Sequence, residues 1–345
     1  MNSGRTITGL DWKNLPFDYL KTDYNIRYHY KEGVWSEGEL TADDSITVHI
    51  ASGSLHYGQQ SFEGLKAFET KDGRVVVFRP DENAKRMNRS GSRILMPEFP
   101  EDMFVDAIRR VILANIKYVP PYGTGASLYI RPFMIGVGPK VGLGPAPEYM
   151  FIVFVTPVGP YYKGGFKPVQ ALVLESFDRA APEGVGDCKV GGNYAAGLLG
   201  GRFGNEKGYP IVLYLDSKEK KFIDEFGTSN FIAIKGNSYI TPESKSILPS
   251  ITNSSLAMLA EKNGMKIERR PVEISEIESF DEVGAVGTAA VITPISLINY
   301  KGRDYIFSED NKPGEKICEL YKQFTGIQNG DLEDSFQWLY EVKAD

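Results

Sequence analysis

Lys189 stands directly before Val190, Gly191, Gly192, Asn193 and Tyr194, and a run of small residues from Ala195 to Gly200 follows. A lysine amine becomes nucleophilic, and able to form a Schiff base, once burial or a neighbouring charge lowers its pKa. Glycines beside it let a bulky group approach the backbone. Read alone, the same stretch is a surface lysine before a glycine-rich turn. Further on, Phe222 to Asn230 puts Asp224 and Glu225 at the end of an apolar strand, just before Gly227. A carboxylate in a pocket can keep a heterocyclic nitrogen protonated; the alternative is a hairpin turn with solvated acids. Pro249 to Asn253 leads into a helix whose first N–H groups, with Thr252, Asn253 and Ser254, suit an anion or simply cap the helix. Gly284 to Ala290 is a strand ending in a small-residue turn that offers more backbone N–H groups.

Two stretches in the first half could complement these. Arg86 lies on a predicted helix and could grip a phosphate bidentately. Tyr129 and Arg131 alternate along a strand and therefore share one face. An aromatic beside a guanidinium suits a substrate carrying both an apolar option and a carboxylate; a cross-strand salt bridge is the competing explanation.

The elements that must position these residues follow from periodicity. Strands are expected at 24–30, 45–49, 65–69, 75–78, 126–132 and 148–155, with Asp72-Gly73 turning the 65–78 hairpin. A helix should begin near Asp81 as N-cap and run toward Ile94, and a second should span 101–118 on the face of Phe104, Ile108, Val111, Ile112 and Ile116. Pro157, Gly159, Pro160, Gly164 and Gly165 mark a linker. The expected division is a small N-terminal α/β domain at 1–155, a linker at 156–168, and a larger domain at 169–345 that carries Lys189. In that second domain strands are expected at 169–174, 211–215, 222–224, 230–234, 238–241, 265–272 and 285–287. Helices are expected at 254–262, with Gly264 as its C′ residue, and at 315–324.

Bulk properties exclude several classes. The chain has 345 residues, 42% hydrophobic and 24% charged, enough for two domains with substantial cores. A net charge of -6 without a basic block argues against nucleic acid. No apolar run approaches the roughly 20 residues of a membrane span. Residues 1–20 lack the apolar core of a signal peptide. Two cysteines and three histidines leave no disulfide framework and no metal-ligand spacing. A cytoplasmic globular protein of mixed α/β or α+β class is the expectation.

Six segments occur in an order that is specific when taken together: SFEGLKAF at 61–68, YIRP at 129–132, KVGGNY at 189–194, EFGTSNF at 225–231, ILPSIT at 247–252 and GTAA at 287–290. On these the chain strongly resembles the branched-chain amino-acid aminotransferases of the fold-type IV pyridoxal phosphate class, over nearly its whole length. The resemblance implies a two-domain fold of the D-amino-acid aminotransferase type, a homodimer, and pyridoxal 5′-phosphate as cofactor. The implied reaction is ping-pong transamination of L-leucine, L-isoleucine and L-valine with 2-oxoglutarate. Lys189 would carry the cofactor as a Schiff base and move the Cα proton. Tyr194 would bond the cofactor's phenolic oxygen and Glu225 its ring nitrogen. Arg86, Ile251, Thr252 and Thr288 would hold the phosphate. Tyr57 and the Ala289 backbone would receive the substrate α-carboxylate. Phe62, Tyr129, Tyr161 and Thr228 would line the side-chain pocket, Thr228 also touching the cofactor, and Arg131 would take the distal carboxylate of glutamate or 2-oxoglutarate. Where some animal members carry a Cys-x-x-Cys pair after the GTA turn, this chain has Ala290 and Thr293, so no thiol switch is expected there. The alternatives are a D-amino-acid aminotransferase, an aminodeoxychorismate lyase, or a non-catalytic ligand-binding protein of the same fold.

Overall fold

A computed structural model describes residues 7, 9–159, 166–308 and 310–344. Their contacts group into two compact units. One comprises the described residues within Met1–Lys163, Cys188–Gly191 and Gly326–Asp345, and the other those within Gly164–Asp187 and Gly192–Thr325.

The first unit holds, in chain order, β1 (Asn25–Lys31), β2 (Val34–Trp35), β3 (Glu39–Thr41), α1 (Gly53–Tyr57), β4 (Gln60–Phe62), β5 (Leu65–Glu69), β6 (Val75–Phe78), α2 (Pro80–Arg93), α3 (Glu101–Ala114), β7 (Ser127–Gly136) and β8 (Tyr149–Val158). The second carries β9 (Val169–Leu174), α4 (Gly191–Glu206, whose first residue groups with the first unit), β10 (Ile211–Leu215), β11 (Ile223–Phe226), β12 (Asn230–Lys235), β13 (Ser238–Pro242), α5 (Ile251–Lys262), β14 (Lys266–Arg270), β15 (Glu282–Gly287), β16 (Val291–Tyr300), β17 (Arg303–Ile306) and most of α6 (Glu315–Gln328). Last comes β18 (Leu339–Glu341), which returns to the first unit and pairs with β6.

The first sheet runs β18-β6-β5-β7-β8-β1-β2, with β3 on β1 and β4 on β7. Alternation on β7 sends Leu128, Ile130 and Met134 into the core and leaves Tyr129, Arg131 and Phe133 half-buried on the other face. Helix α3 buries Phe104, Ile108, Val111 and Ile112 in that core. Phe104 meets Phe151 at 5.7 Å between ring centroids.

The second sheet runs β11-β10-β9-β16-β15-β12-β13-β14, and β11 also pairs with β12. Six strands therefore close into a ring, with Glu225 opposite Asn230 as the closing rung. Helix α4 lies close to β10. A Cβ on Gly204 would stand 2.3 Å from Val212 Cγ1, and one on Gly200 would stand 2.5 Å from Tyr214 Oη. The small residues after Lys189 are what permit that approach. Among the described residues no helix is long and apolar enough to cross a membrane.

Several expectations shift. Residues 45–49 form no strand; Ile46 and Val48 alternate, but the segment has no ladder partner, and Asp43 Oδ1 instead accepts from Ser45 N at 2.9 Å. Helix α2 starts at Pro80 with Arg79 as cap, so Asp81 sits in the first turn. Proline's fixed φ favours the first helical position. Helix α5 begins at Ile251, earlier than 254, because Ser250 is the cap. Strand β8 continues to Val158, so the stretch 156–168 opens as strand; residues 160–165 lie outside the described residues. Strand β16 was not anticipated. It contains Pro294, a residue disfavoured in central strands, and its ladder to β9 begins only at Ile295.

Candidate active site

Lys189 sits between buried Cys188 and Val190 in an irregular segment that groups with the first unit. Its backbone is held on both sides. The Lys189 N–H donates to Ser90 Oγ of α2 at 2.9 Å, its carbonyl accepts from Phe62 N at 3.1 Å, and Val190 bridges to Ser61. The ammonium lies 4.9 Å from the centroid of the Phe62 ring. Burial, reinforced by repulsion from Arg86, lowers the amine to about 8, while Glu63 and Tyr129 oppose the shift. A lysine so placed carries an appreciable neutral fraction near physiological pH, about one tenth at pH 7.

Glu63, fully buried on the same motif, organises this region. It accepts from Arg86 Nε at 2.8 Å and Nη2 at 2.7 Å, and from Asn83 Nδ2 at 2.7 Å. Burial would raise its pKa, but the Arg86 guanidinium outweighs that and keeps the carboxyl below its ordinary range. Arg86 is thus a buried arginine with one edge committed to Glu63. Arg131 differs. Its Nη2 donates to Tyr129 Oη at 2.9 Å and its guanidinium stacks 5.0 Å from the Phe62 centroid, yet Nε is buried without a hydrogen-bond partner. Among the described residues no carboxylate pairs with it. Gly64 is required beside it, since a Cβ there would stand 2.3 Å from Tyr129 Oη. Phe62, Tyr129, Arg131 and Lys189 therefore come together. Tyr57 is exposed on α1, and its hydroxyl donates to Val141 O at 2.7 Å rather than to this cluster. Tyr161 lies outside the described residues.

The second unit supplies a different set. Glu225 is buried on β11, 3.0 Å from Arg179 Nε, and accepts from Asn230 Nδ2 at 2.6 Å and Leu248 N at 3.3 Å. Burial raises its pKa to about 7 against the attraction of Arg179. Asp224, next to it, is buried too, and its pKa is also raised by burial, against the Ser244 hydrogen bond. As its neighbour on a strand, it faces the opposite side. Ser250 caps α5 by accepting from Asn253 N, and the first-turn N–H groups of Ile251 and buried Thr252 have no carbonyl of their own helix to bond. The turn of Thr288 and Ala289 joins β15 to β16. It lies beside the turn of exposed Thr228: a Cβ on Gly287 would meet Ser229 Cβ at 3.7 Å and Thr228 O at 3.8 Å. Tyr194 is half-buried in the first turn of α4. The chain thus holds an amine of lowered pKa, a carboxyl that changes protonation near neutrality, and a helix N-terminus suited to an anion.

Residues 60–298 match the amino-transferase class IV family. A branched-chain-amino-acid aminotransferase of Haemophilus influenzae is 48% identical over 97% of this chain and 99% of its own length. One from Helicobacter pylori is 47% identical with the same coverage of 97% and 99%. The chain belongs to the branched-chain-amino-acid aminotransferase family, within class IV. The crystal structure of the family member from Escherichia coli matches with a TM-score of 0.80 at 28% identity, covering 94% of this chain and 100% of that one. Its fold-type IV architecture is the fold of this aminotransferase. Sequence reasoning missed Glu63, Ser90, Arg179 and Asn230. Glu63 meets Asn83 and Arg86, Ser90 meets Lys189, and Arg179 meets Glu225, all 20 or more residues away, whereas Asn230 bonds Glu225 across one turn and Leu248 further on. The available signal was charge or polarity inside apolar runs, as with Glu63 between Phe62 and Leu65.

Proposed function

We propose that this chain transfers the amino group of L-leucine, L-isoleucine or L-valine to 2-oxoglutarate in two alternating half-reactions, with pyridoxal 5′-phosphate as cofactor. The donor set fits that group: a lysine amine near 8, a buried carboxyl near 7, and backbone and hydroxyl donors at 251, 252 and 288. When bound, the cofactor supplies a carbonyl carbon for amines and a ring that withdraws electrons from the substrate Cα. Lys189 would hold it and act as base at Cα. Tyr194 and Glu225 would hold its phenolic oxygen and ring nitrogen. Ile251, Thr252, Thr288 and Arg86 would hold its phosphate, with Thr228 beside them. Tyr57 and Ala289 would orient the substrate carboxylate. Phe62, Tyr129, Tyr161 and Thr228 would receive the apolar side chain.

The observation that carries the reading is Arg131, half-buried against Phe62 and Tyr129 with its Nε buried and with no carboxylate partner among the described residues. A pocket for leucine that also admits 2-oxoglutarate needs a cation whose charge is tolerable when no anion is present. Stacking on two aromatic faces offers that. The test is a side-by-side assay of L-leucine, D-alanine and aminodeoxychorismate, with borohydride reduction of the yellow protein. Label on Lys189 and turnover of leucine with 2-oxoglutarate are expected. A colourless protein that pyridoxal phosphate cannot restore, or turnover of D-alanine alone, overturns the proposal.

We also propose that two copies pair, that the folding domains divide at 156–168, and that the protein works in the cytoplasm. Pairing is supported by an apolar ridge in the first unit, where Ile50, Val141 and Leu143 are 83%, 82% and 82% exposed. The cytoplasm is supported by low cysteine usage, two in 345 residues, too few for the disulfide framework of a secreted domain.

A further inference from the structure

Strand β12 holds the segment 248–253 at one end and β13, its neighbour in the sheet, holds it at the other. At the first, Asn230 Nδ2 donates to Glu225 Oε2 at 2.6 Å and to Leu248 O at 3.1 Å, while Leu248 N donates to Glu225 Oε1 at 3.3 Å. Both partners of the Asn230 amide are acceptors, so its nitrogen must face them. At the second, Asn253 Oδ1 accepts from Tyr239 Oη at 2.7 Å, and Asn253 Nδ2 donates to Thr241 Oγ1 at 2.8 Å. Thr241 Oγ1 in turn donates to Phe231 O at 3.0 Å. Asn230, Phe231, Tyr239, Thr241 and Asn253 are all buried. One foot of the segment thus lands on Asn230, and the other on Tyr239 and Thr241, with the Thr241 hydroxyl passing the link on to Phe231, next to Asn230. Between the feet lie Ser250, Ile251 and Thr252, the cap and first turn of α5. None of these bonds is needed to form the helix, whose cap Ser250 already provides. Asn230 Oδ1 stays buried without a hydrogen-bond partner, a cost the relay carries, and the effect of the relay is to fix where the first-turn N–H groups stand.

We propose that Asn230 and Asn253 are positioning residues which, through β12 and β13, hold the first turn of α5 in place to receive the cofactor's phosphate. The proposal rests on the reading that this turn takes that phosphate. Asn253 sets the turn from its C-terminal side. Asn230 sets it from the N-terminal side and ties it to the carboxyl assigned to the ring nitrogen.

The test compares pyridoxal phosphate with pyridoxal, which lacks only the phosphate, as ligands of the full chain freed of cofactor. Dissociation constants are read by absorbance after dialysis. Wild type is expected to prefer pyridoxal phosphate by at least about 100-fold. Asn253→Ala should cut that preference about tenfold, and Tyr239→Phe, which removes one hydroxyl and keeps the packing, about threefold. Asn230→Asp should weaken both ligands, since it sets a carboxylate against two acceptors. A loss equal for both ligands in Asn253→Ala and Tyr239→Phe would reveal a merely structural role and overturn the proposal. So would an unchanged preference in both. If Asn253→Ala does not fold, Tyr239→Phe decides. Wild type with no preference overturns the phosphate reading itself, an outcome distinct from variants that fail to alter a real preference.

Discussion

At the scale of residues, three side chains make separable predictions. Lys189→Ala should abolish transamination and borohydride labelling while the far-ultraviolet circular dichroism stays that of wild type; retained turnover would show the base is elsewhere. Arg131→Ala should raise the KM for 2-oxoglutarate about 10- to 100-fold and that for leucine by much less, because only the former loses a charge-assisted pair. An equal loss for both substrates would remove Arg131 from carboxylate recognition. Glu225 yields a prediction about pH. Its carboxyl is raised from 4.5 to about 7, chiefly by burial. The folded state therefore binds more protons than the unfolded between those values, and the stability this contributes is present below about 4.5 and lost as pH rises through 7. Denaturant melts of the cofactor-free protein should show wild type losing stability relative to Glu225→Gln between pH 4.5 and 7, with no further change above. A difference that is flat across this window would mean the carboxyl is ionised throughout.

At the scale of elements, the packing of α4 on β10 separates two glycines of one helix. A Cβ on Gly204 would collide with Val212 at 2.3 Å, whereas one on Gly201 meets nothing within 4 Å. Gly204→Ala should cost about 1–3 kcal/mol by overpacking, and Gly201→Ala should stabilise by up to about 1 kcal/mol through helix propensity. Thermal melts of the two variants moving the same way would contradict the close approach. Helix α3, the β5–β6 hairpin and strands β9 and β10 were legible because β-branched runs, an Asp-Gly turn and a 3.6-residue period are local signals. The closure of the second sheet was not: the Glu225–Asn230 rung spans a local turn, but nothing local says that β11 also pairs with β10 and β12 with β15, which is what makes that rung close a ring. Residues 45–49 misled for the converse reason: their alternation is strand-like, but a strand needs a partner. The site was legible only as a set. Lys189 in its glycine turn, or Glu225 before Gly227, is ambiguous alone, and the burial that moves each pKa is a property of tertiary packing.

At the scale of the whole molecule, the proposed pairing of two copies has a physical motive in the first unit. Ile50, Leu55, Val141 and Leu143 are each more than half exposed, Leu55 at 60%. They come from two segments that are tied together: Lys140 N donates to Ala51 O at 2.9 Å, Ser52 bridges to Pro139, and Tyr57 Oη donates to Val141 O at 2.7 Å. A ridge held this firmly is not a floppy loop tip, and clustered apolar side chains on a firm surface mark a contact that another surface covers. With a net charge of -6 on each copy, long-range electrostatics oppose self-association, so burial of these side chains must supply the attraction. Placing carboxylates at 141 and 143 sets like charges from both copies into an apolar contact, where burying them costs desolvation. Sedimentation of wild type at micromolar concentration should therefore give twice the chain mass. Val141→Asp combined with Leu143→Asp should raise the dissociation constant at least about 100-fold, giving the single-chain mass at the same concentration. Because both substitutions lie on the surface, the melting temperature of the dissociated variant measures whether the fold survives. A double variant that remains paired at the wild-type constant would place the contact elsewhere, and a wild type that sediments as one chain would end the proposal.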